Sequence, residues 1–259
     1  MQMQSEVLEG FQLSPQQRRL WLLQQDGDTF NVQCTVLLEG DLDRKRLERS
    51  LRSVAERHEI LRTTFHRLPG IKIPVQVVAE SLAPAWTNLD LSYLQPAEQQ
   101  VQVEEVLRTA RATRLDYERG PLLHLSLITL SSVQSILLVT TPALCADAET
   151  LKNFISELRD SYAADTEDLE LSDGIITYTQ FAEWQDELLT EDVAGKEYWQ
   201  KQMASMGPEQ VLPYQLKSTG ATNFSPLELP LKIDSCLVRI HILDQARIKF
   251  FASGTTAED

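Results

Sequence analysis

One stretch, Ser135 to Tyr162 (SILLVTTPALCADAETLKNFISELRDSY), most constrains what this chain can become. Ile136 to Thr141 is an apolar, β-branched run, short enough for a buried strand. Pro142 then removes a backbone donor and stops the ladder. Asp147 stands where a helix begins. Glu149 follows in the first turn, where a carboxylate complements the helix dipole. Beyond it Leu151, Phe154, Ile155, Leu158 and Tyr162 recur at helical spacing and define one apolar face. The segment is therefore strand, tight loop P-A-L-C-A-D-A, helix. Loops held between a rigid strand and a rigid helix commonly carry function.

The flanking elements follow from the same signals. Ser14-Pro15 predicts a helix start, with Leu20, Trp21 and Leu23 available for burial. Asn31 to Glu39 alternates as a strand. Asp41 or Asp43 caps the next helix, whose inner stripe is Leu47, Leu51, Val54 and Ala55. Its basic residues Arg44, Lys45, Arg49 and Arg52 read as a solvated face or as a docking surface for an acidic partner. Phe65 to Leu68 and Pro74 to Val78 read as a hairpin around Pro69-Gly70. A loop at Pro84, Trp86 and Leu89 leads to a long helix opening at Pro96, with Val103, Val106, Leu107 and Ala110 inward. Gly120-Pro121 turns into a strand from Leu123 to Leu130, which pairs with the Ile136–Thr141 strand through Ser131-Ser132. Ala163 to Gly174 reads as an exposed acidic loop, followed by helices near Tyr178 to Leu189 and Asp192 to Met203. Residues 207 to 230 read as a linker, Cys236 to Leu243 as a strand, and Asp244 as the cap of a last short helix. Strands and helices mix without strict βαβ alternation, which predicts an α+β fold, a mixed β-sheet layered with helices.

Composition removes several function classes. The net charge of −14 opposes non-specific nucleic-acid binding, which needs a basic surface. Cys34, Cys145 and Cys236 are odd in number and widely spaced, which fits a reducing compartment and carries no metal signature. The first residues, MQMQSEVLEG, lack an apolar signal-peptide core, and no run is long and apolar enough to span a bilayer. The expectation is a cytoplasmic protein that binds neither membrane nor nucleic acid. No Walker-type loop, G-x-S-x-G motif or paired-carboxylate signature is present.

Five features in order carry a family resemblance: F-x-L-S-P-x-Q at Phe11 to Gln17, H-E-x-L-R-T-x-F at His58 to Phe65, G-P-L at Gly120 to Leu122, the loop aspartate Asp147, and Tyr198-Trp199. Together they resemble the condensation domains of nonribosomal peptide synthetases. The resemblance runs from Phe11 to about Glu258. It implies a lobe similar to chloramphenicol acetyltransferase, one of two around a central tunnel. Residues 1–206 are expected to form the first lobe, and 207–259 the crossover linker and the start of the second, whose remainder lies outside this sequence. The family joins acyl and aminoacyl groups carried as thioesters on phosphopantetheine arms. The implied partners are carrier proteins, a tailoring enzyme and the second lobe of the same synthetase. No bound cofactor or metal is implied.

The family loop reads H-H-x-x-x-D-G. Anchored on Asp147, its histidines fall on Pro142 and Ala143 and its glycine on Ala148. The second histidine positions or deprotonates the attacking amine, for which imidazole has a suitable pKa. Alanine has no titratable group. The related heterocyclisation motif needs an aspartate at position 142 and is excluded by Pro142. Replacement groups would be Cys145, Glu149 or His124. The plainer roles for these are a small buried thiol, a helix-dipole carboxylate and a structural strand histidine. The resemblance also implies that Asp147 pairs with Arg62 and so keeps the loop's shape. Two functions follow. One is a condensation-like domain without its histidine, serving as a binding platform for carrier proteins or tailoring enzymes. The alternative is an active amide-forming transferase with a non-histidine site.

Overall fold

The first helix, α1 (Pro15–Leu23), opens on a capping box. Ser14 Oγ accepts the Gln17 N–H, and the Gln17 side chain returns to the Ser14 N–H, with Pro15 in the first turn. Residues 10–24, 30–164, 176–205 and the backbone of 247–251 are described in this computed structural model. β1 (Asn31–Glu39) follows with the predicted bounds. Asp43 is the residue that caps α2 (Arg44–Arg57), accepting the Arg46 N–H. A 3-10 turn (Glu59–Arg62) leads to β2 (Thr63–His66), which pairs antiparallel with β3 (Val75–Val78). The first strand of the hairpin thus begins two residues earlier than its sequence suggests and ends at His66. Phe11 bonds to Gln76 through both backbone groups and extends that small sheet.

The main sheet has the order β4-β5-β6-β1-β7. Its strands are β4 (Ala85–Asp90), β5 (His124–Ser131), β6 (Gln134–Pro142) and β7 (Arg247–Phe251) beside β1. β4 runs parallel to β5 and the other pairs are antiparallel, so the sheet is mixed. Of the loop expected around Pro84, Trp86 and Leu89, the part from Ala85 onward is in fact this edge strand. Asn88 and Asp90 mask the period-2 signal, and the parallel partner supplies a ladder that no local pattern announces. Gly120 sits at φ +63°, where a Cβ would lie 3.0 Å from Leu82 and 3.3 Å from Thr64, so the G-P-L turn requires glycine.

Helices cover both faces. α2 and α4 (Ala148–Ala164) lie on one, and their apolar stripes meet Val36, Leu38, Leu125, Leu127, Leu137 and Val139 in the main core. α3 (Pro96–Ala112) lies on the other. Its inward stripe is only half-buried, and polar bonds complete the contact. Asn31 Nδ2 donates to the Arg111 and Thr113 carbonyls, and Gln33 Nε2 to the Leu107 carbonyl. A second core of Leu13, Trp21, Phe65, Leu115, Leu122, Leu144 and Cys145 joins α1 and the hairpin to the loop after β6. α5 (Tyr178–Glu191) and α6 (Val193–Ser205) complete the described helices. Along α2, Arg44 donates to Thr129, whereas Lys45, Arg49 and Arg52 are exposed.

Among the described residues, no helix is long and apolar enough to cross a membrane. Ala163 and Ala164 belong to α4, while the rest of the expected acidic loop, the 207–230 linker, the Cys236–Leu243 strand, Asp244 and the 206/207 division lie outside the described residues. Residues 247–251 do not continue a short helix. They pair with Thr35 to Glu39 on the edge of β1, where a row of backbone donors and acceptors is available.

Candidate functional site

The loop that the sequence singles out leaves the sheet at Pro142, opposite Asn31. Ala143 N–H donates to the Phe30 carbonyl at 2.7 Å, which ties the loop to the entry of β1. The Pro142 carbonyl accepts the N–H groups of Cys145 at 2.9 Å and Ala146 at 3.3 Å, closing a tight turn. Leu144 and Cys145 are then buried in the second core, and Ala146 in the main core. The loop thus straddles both cores and is held by packing on each side. Ala143 remains half-exposed.

Asp147 ends the loop as the cap of α4. Its Oδ1 accepts the Thr150 N–H at 2.8 Å and the Thr150 hydroxyl at 2.7 Å, and Leu151 N–H bonds to its carbonyl. The Thr150 N–H above all holds this carboxyl below the usual aspartate range, with the Thr150 hydroxyl second. The expected ion pair with Arg62 does not form. Arg62 donates to the carbonyls of Glu56 and Ala79 and faces Glu59 at 3.7 Å. It thereby closes the α2 end of the 3-10 turn onto the exit of β3. The helix N-terminus and the local turn satisfy the two groups separately.

The replacement groups are all engaged or masked. Burial pushes the Cys145 thiol up to about 12, so the thiolate is strongly disfavoured. Glu149 is exposed and paired with Lys152 at 2.8 Å, one turn along α4. His124 lies opposite Thr140 on β5, and its Nε2 is 3.0 Å from the Pro121 carbonyl. Pro142, Ala143 and Ala148 contribute no side-chain polar atom. Among the described residues, no group of three or more His, Cys, Asp or Glu side chains is placed to hold a metal. A polar cavity of about 370 Å³ lined by Arg44, Asp90, Thr129 and Ser135 opens at the opposite end of the sheet from the loop.

Sequence reasoning missed the polar cluster beneath the loop. Gln17 is 2% exposed and its Nε2 donates to the Leu144 carbonyl at 3.0 Å. Gln76 is fully buried and its Nε2 donates to the Gln12 carbonyl. Ser14 Oγ lies 2.9 Å from the Tyr178 hydroxyl, and so links α1 to α5. In the sequence the S-P-x-Q residues marked a helix start and part of the family resemblance, and neither points to a bond with Leu144. His58 has a role as well: its Nε2 lies 2.9 Å from Glu157 on α4, and Arg57 approaches the same carboxylate at 3.1 Å.

The family model "Condensation domain" matches residues 8–244, most of the chain. The chain belongs to the condensation domain family. Tyrocidine synthase 3 of Brevibacillus parabrevis is 32% identical over 198 residues, covering 74% of this chain and 3% of that protein. Chondramide synthase of Chondromyces crocatus is 31% identical over 244 residues, covering 90% of this chain and 6% of its own length. The chain therefore spans a small part of the curated relatives it matches. Among solved structures, the X-domain from teicoplanin biosynthesis is 26% identical with a TM-score of 0.65, covering 79% of this chain and 46% of that one. The starter condensation domain of the rhizomide synthetase has a TM-score of 0.67 at 20% identity, covering 77% and 49%. The chloramphenicol acetyltransferase-like α+β lobe is thus shared, and this condensation domain is of the nonribosomal peptide synthetase kind. Its described part corresponds to about half of each solved relative. In this chain the loop carries Pro142 and Ala143 ahead of Asp147.

Proposed function

We propose that this condensation domain binds carrier-borne substrates or a tailoring enzyme without carrying out ordinary condensation. The observation that carries the reading is a folded loop with no base at position 143. The turn, the two cores and the Asp147 cap are intact, while Ala143 offers only a methyl group. The neighbouring groups support the same reading, because Cys145 is buried as the thiol and Glu149 and His124 are engaged elsewhere. Loss of general acid–base help is worth about 10²–10⁴-fold, so a residual rate from positioning alone remains small.

In this reading residues 1–206 are the first lobe, and 207–259 cross to a second lobe that completes the tunnel. The substrates are acyl or aminoacyl thioesters on phosphopantetheine arms, and carrier proteins are the partners. One solved relative is the X-domain of teicoplanin biosynthesis in complex with OxyB, which makes a tailoring enzyme the second kind of partner to test.

The test is a single-turnover assay with donor- and acceptor-loaded carriers, using this chain and a version extended through the second lobe. The expected result is no dipeptide, together with carrier or tailoring-enzyme binding that persists in Ala143→His. Dipeptide formed by the extended version and abolished by Cys145→Ala, Glu149→Gln or His124→Ala overturns the platform reading in favour of a non-histidine transferase.

A further inference from the structure

We propose that Gln17 is the positioning residue of the 142–148 loop, and that its carboxamide sets the conformation in which residue 143 is presented. The loop has two backbone ties to other elements on either side of this position. One is Ala143 N–H to the Phe30 carbonyl. The other is the Leu144 carbonyl, held by Gln17 Nε2 at 3.0 Å from 127 residues away in sequence.

The chemistry at Gln17 is specific to an amide. Its Oε1 accepts the Ser14 N–H at 2.9 Å, which fixes that end as oxygen and the other as the donor nitrogen. The nitrogen then serves Leu144 and, at 3.4 Å, Gln76 Oε1. A glutamate keeps the cap but turns an acceptor towards the Leu144 carbonyl. A methionine fills the space and makes neither bond. Gln17 and Gln76 are almost wholly buried, so water cannot take over the lost bond without opening the loop. The inference concerns the loop's shape and stands whether or not the domain condenses substrates.

Cys145 reports on it directly. Its thiol is buried beside Leu144 in the second core, while Cys34 lies on β1 against the main core. Alkylation of the native 259-residue chain, followed at each cysteine by peptide mass spectrometry, separates loop opening from general loosening. In Gln17→Met and Gln17→Glu, Cys145 should react roughly 5- to 10-fold faster than in the unaltered chain, in line with the loss of one buried hydrogen bond. Cys34 should stay within about 2-fold, because its strand makes no bond to Gln17. An unchanged Cys145 rate, or a parallel rise at both cysteines, overturns the proposal. If neither variant folds, exchange of the Gln17 side-chain amide protons in the unaltered chain decides. They should exchange at least about 10-fold more slowly than those of Gln100, whose amide meets only Glu104 on an exposed helix face. Equal exchange would reject Gln17 as the loop's anchor.

Discussion

Asp147 Oδ1 accepts both the backbone N–H and the hydroxyl of Thr150, at 2.8 and 2.7 Å, and so belongs to α4 and not to Arg62. An N-cap of this kind is worth about 0.5–2 kcal/mol. Asp147→Ala should therefore lower stability by about 1 kcal/mol, and Asp147→Asn by less, since asparagine also caps well. In a double-mutant cycle with Arg62→Ala the effects should add within about 0.5 kcal/mol, as expected of groups with no shared partner. The carboxyl is held below its unfolded value, so its contribution is present above about pH 4 and lost as pH falls through the folded value. Urea unfolding of the unaltered chain, the three single variants and the double variant, at neutral pH and at pH 3, reads both effects.

Much of this fold was legible because its elements carry strong local signals. β1 appears with the predicted bounds, the α2 stripe is buried residue for residue, and α4 begins where Asp147 and Glu149 placed it. The failures share one cause, which is dependence on distant partners. β4 is a strand because β5 lies beside it, and residues 247–251 pair because β1 has an edge to offer. The candidate site shows the same division. Its composition, Pro142 and Ala143 before Asp147, was visible in the chain. The Gln17 bond to Leu144 joins segments 127 residues apart and has no periodic trace. The Arg62–Asp147 pairing failed because each side chain finds nearer partners, at Glu59 and at Thr150.

His58 and Arg57 converge on Glu157, and this joint ties the end of α2 to the middle of α4. Charge-assisted hydrogen bonds in a half-buried setting are worth more than exposed ion pairs. Glu157→Ala should cost about 1.5–3 kcal/mol, and Glu157→Gln less, because an amide oxygen still accepts from Arg57. Lys152→Ala, which removes an exposed pair one turn away, should cost less than about 0.5 kcal/mol. The comparison is made by urea midpoints at constant slope. Equal losses in all three would place Glu157 among ordinary surface charges.

α5 and α6 expose an unusual amount of apolar surface. Phe181, Trp184 and Leu188 follow one another along α5, and Tyr198, Trp199 and Met203 along α6, the last three each more than half exposed. Tyr178, Phe181 and Trp184 form a chain of ring contacts at 6.1 and 5.9 Å. Patches beyond a few hundred Å² mark interaction surfaces. The chain should bind a hydrophobic dye in its native state, and Trp184→Ser with Leu188→Ser should lower that binding by at least about half with little loss of stability, because both side chains are more than half exposed. Dye binding that is absent, or indifferent to both changes, would show the face to be covered.

Cys34 and Cys145 carry a pH signature. Burial pushes both thiols up to about 12, so the folded chain keeps two protons that the unfolded chain, with cysteines near 8.5, gives up earlier. Above about pH 8.5 the unfolded state therefore binds fewer protons, and stability falls as pH rises. Cys34→Ala and Cys145→Ala each leave a small cavity but remove one of these groups. Each variant should be less stable at pH 7, and its stability should fall less steeply between about pH 8.5 and 10 than that of the unaltered chain. Denaturant titrations at pH 7, 8.5 and 10 measure the slopes. Identical slopes in all three proteins would mean that the thiols ionise alike in the folded and unfolded chains. For Cys145 that result would also revive it as a nucleophile beside Ala143.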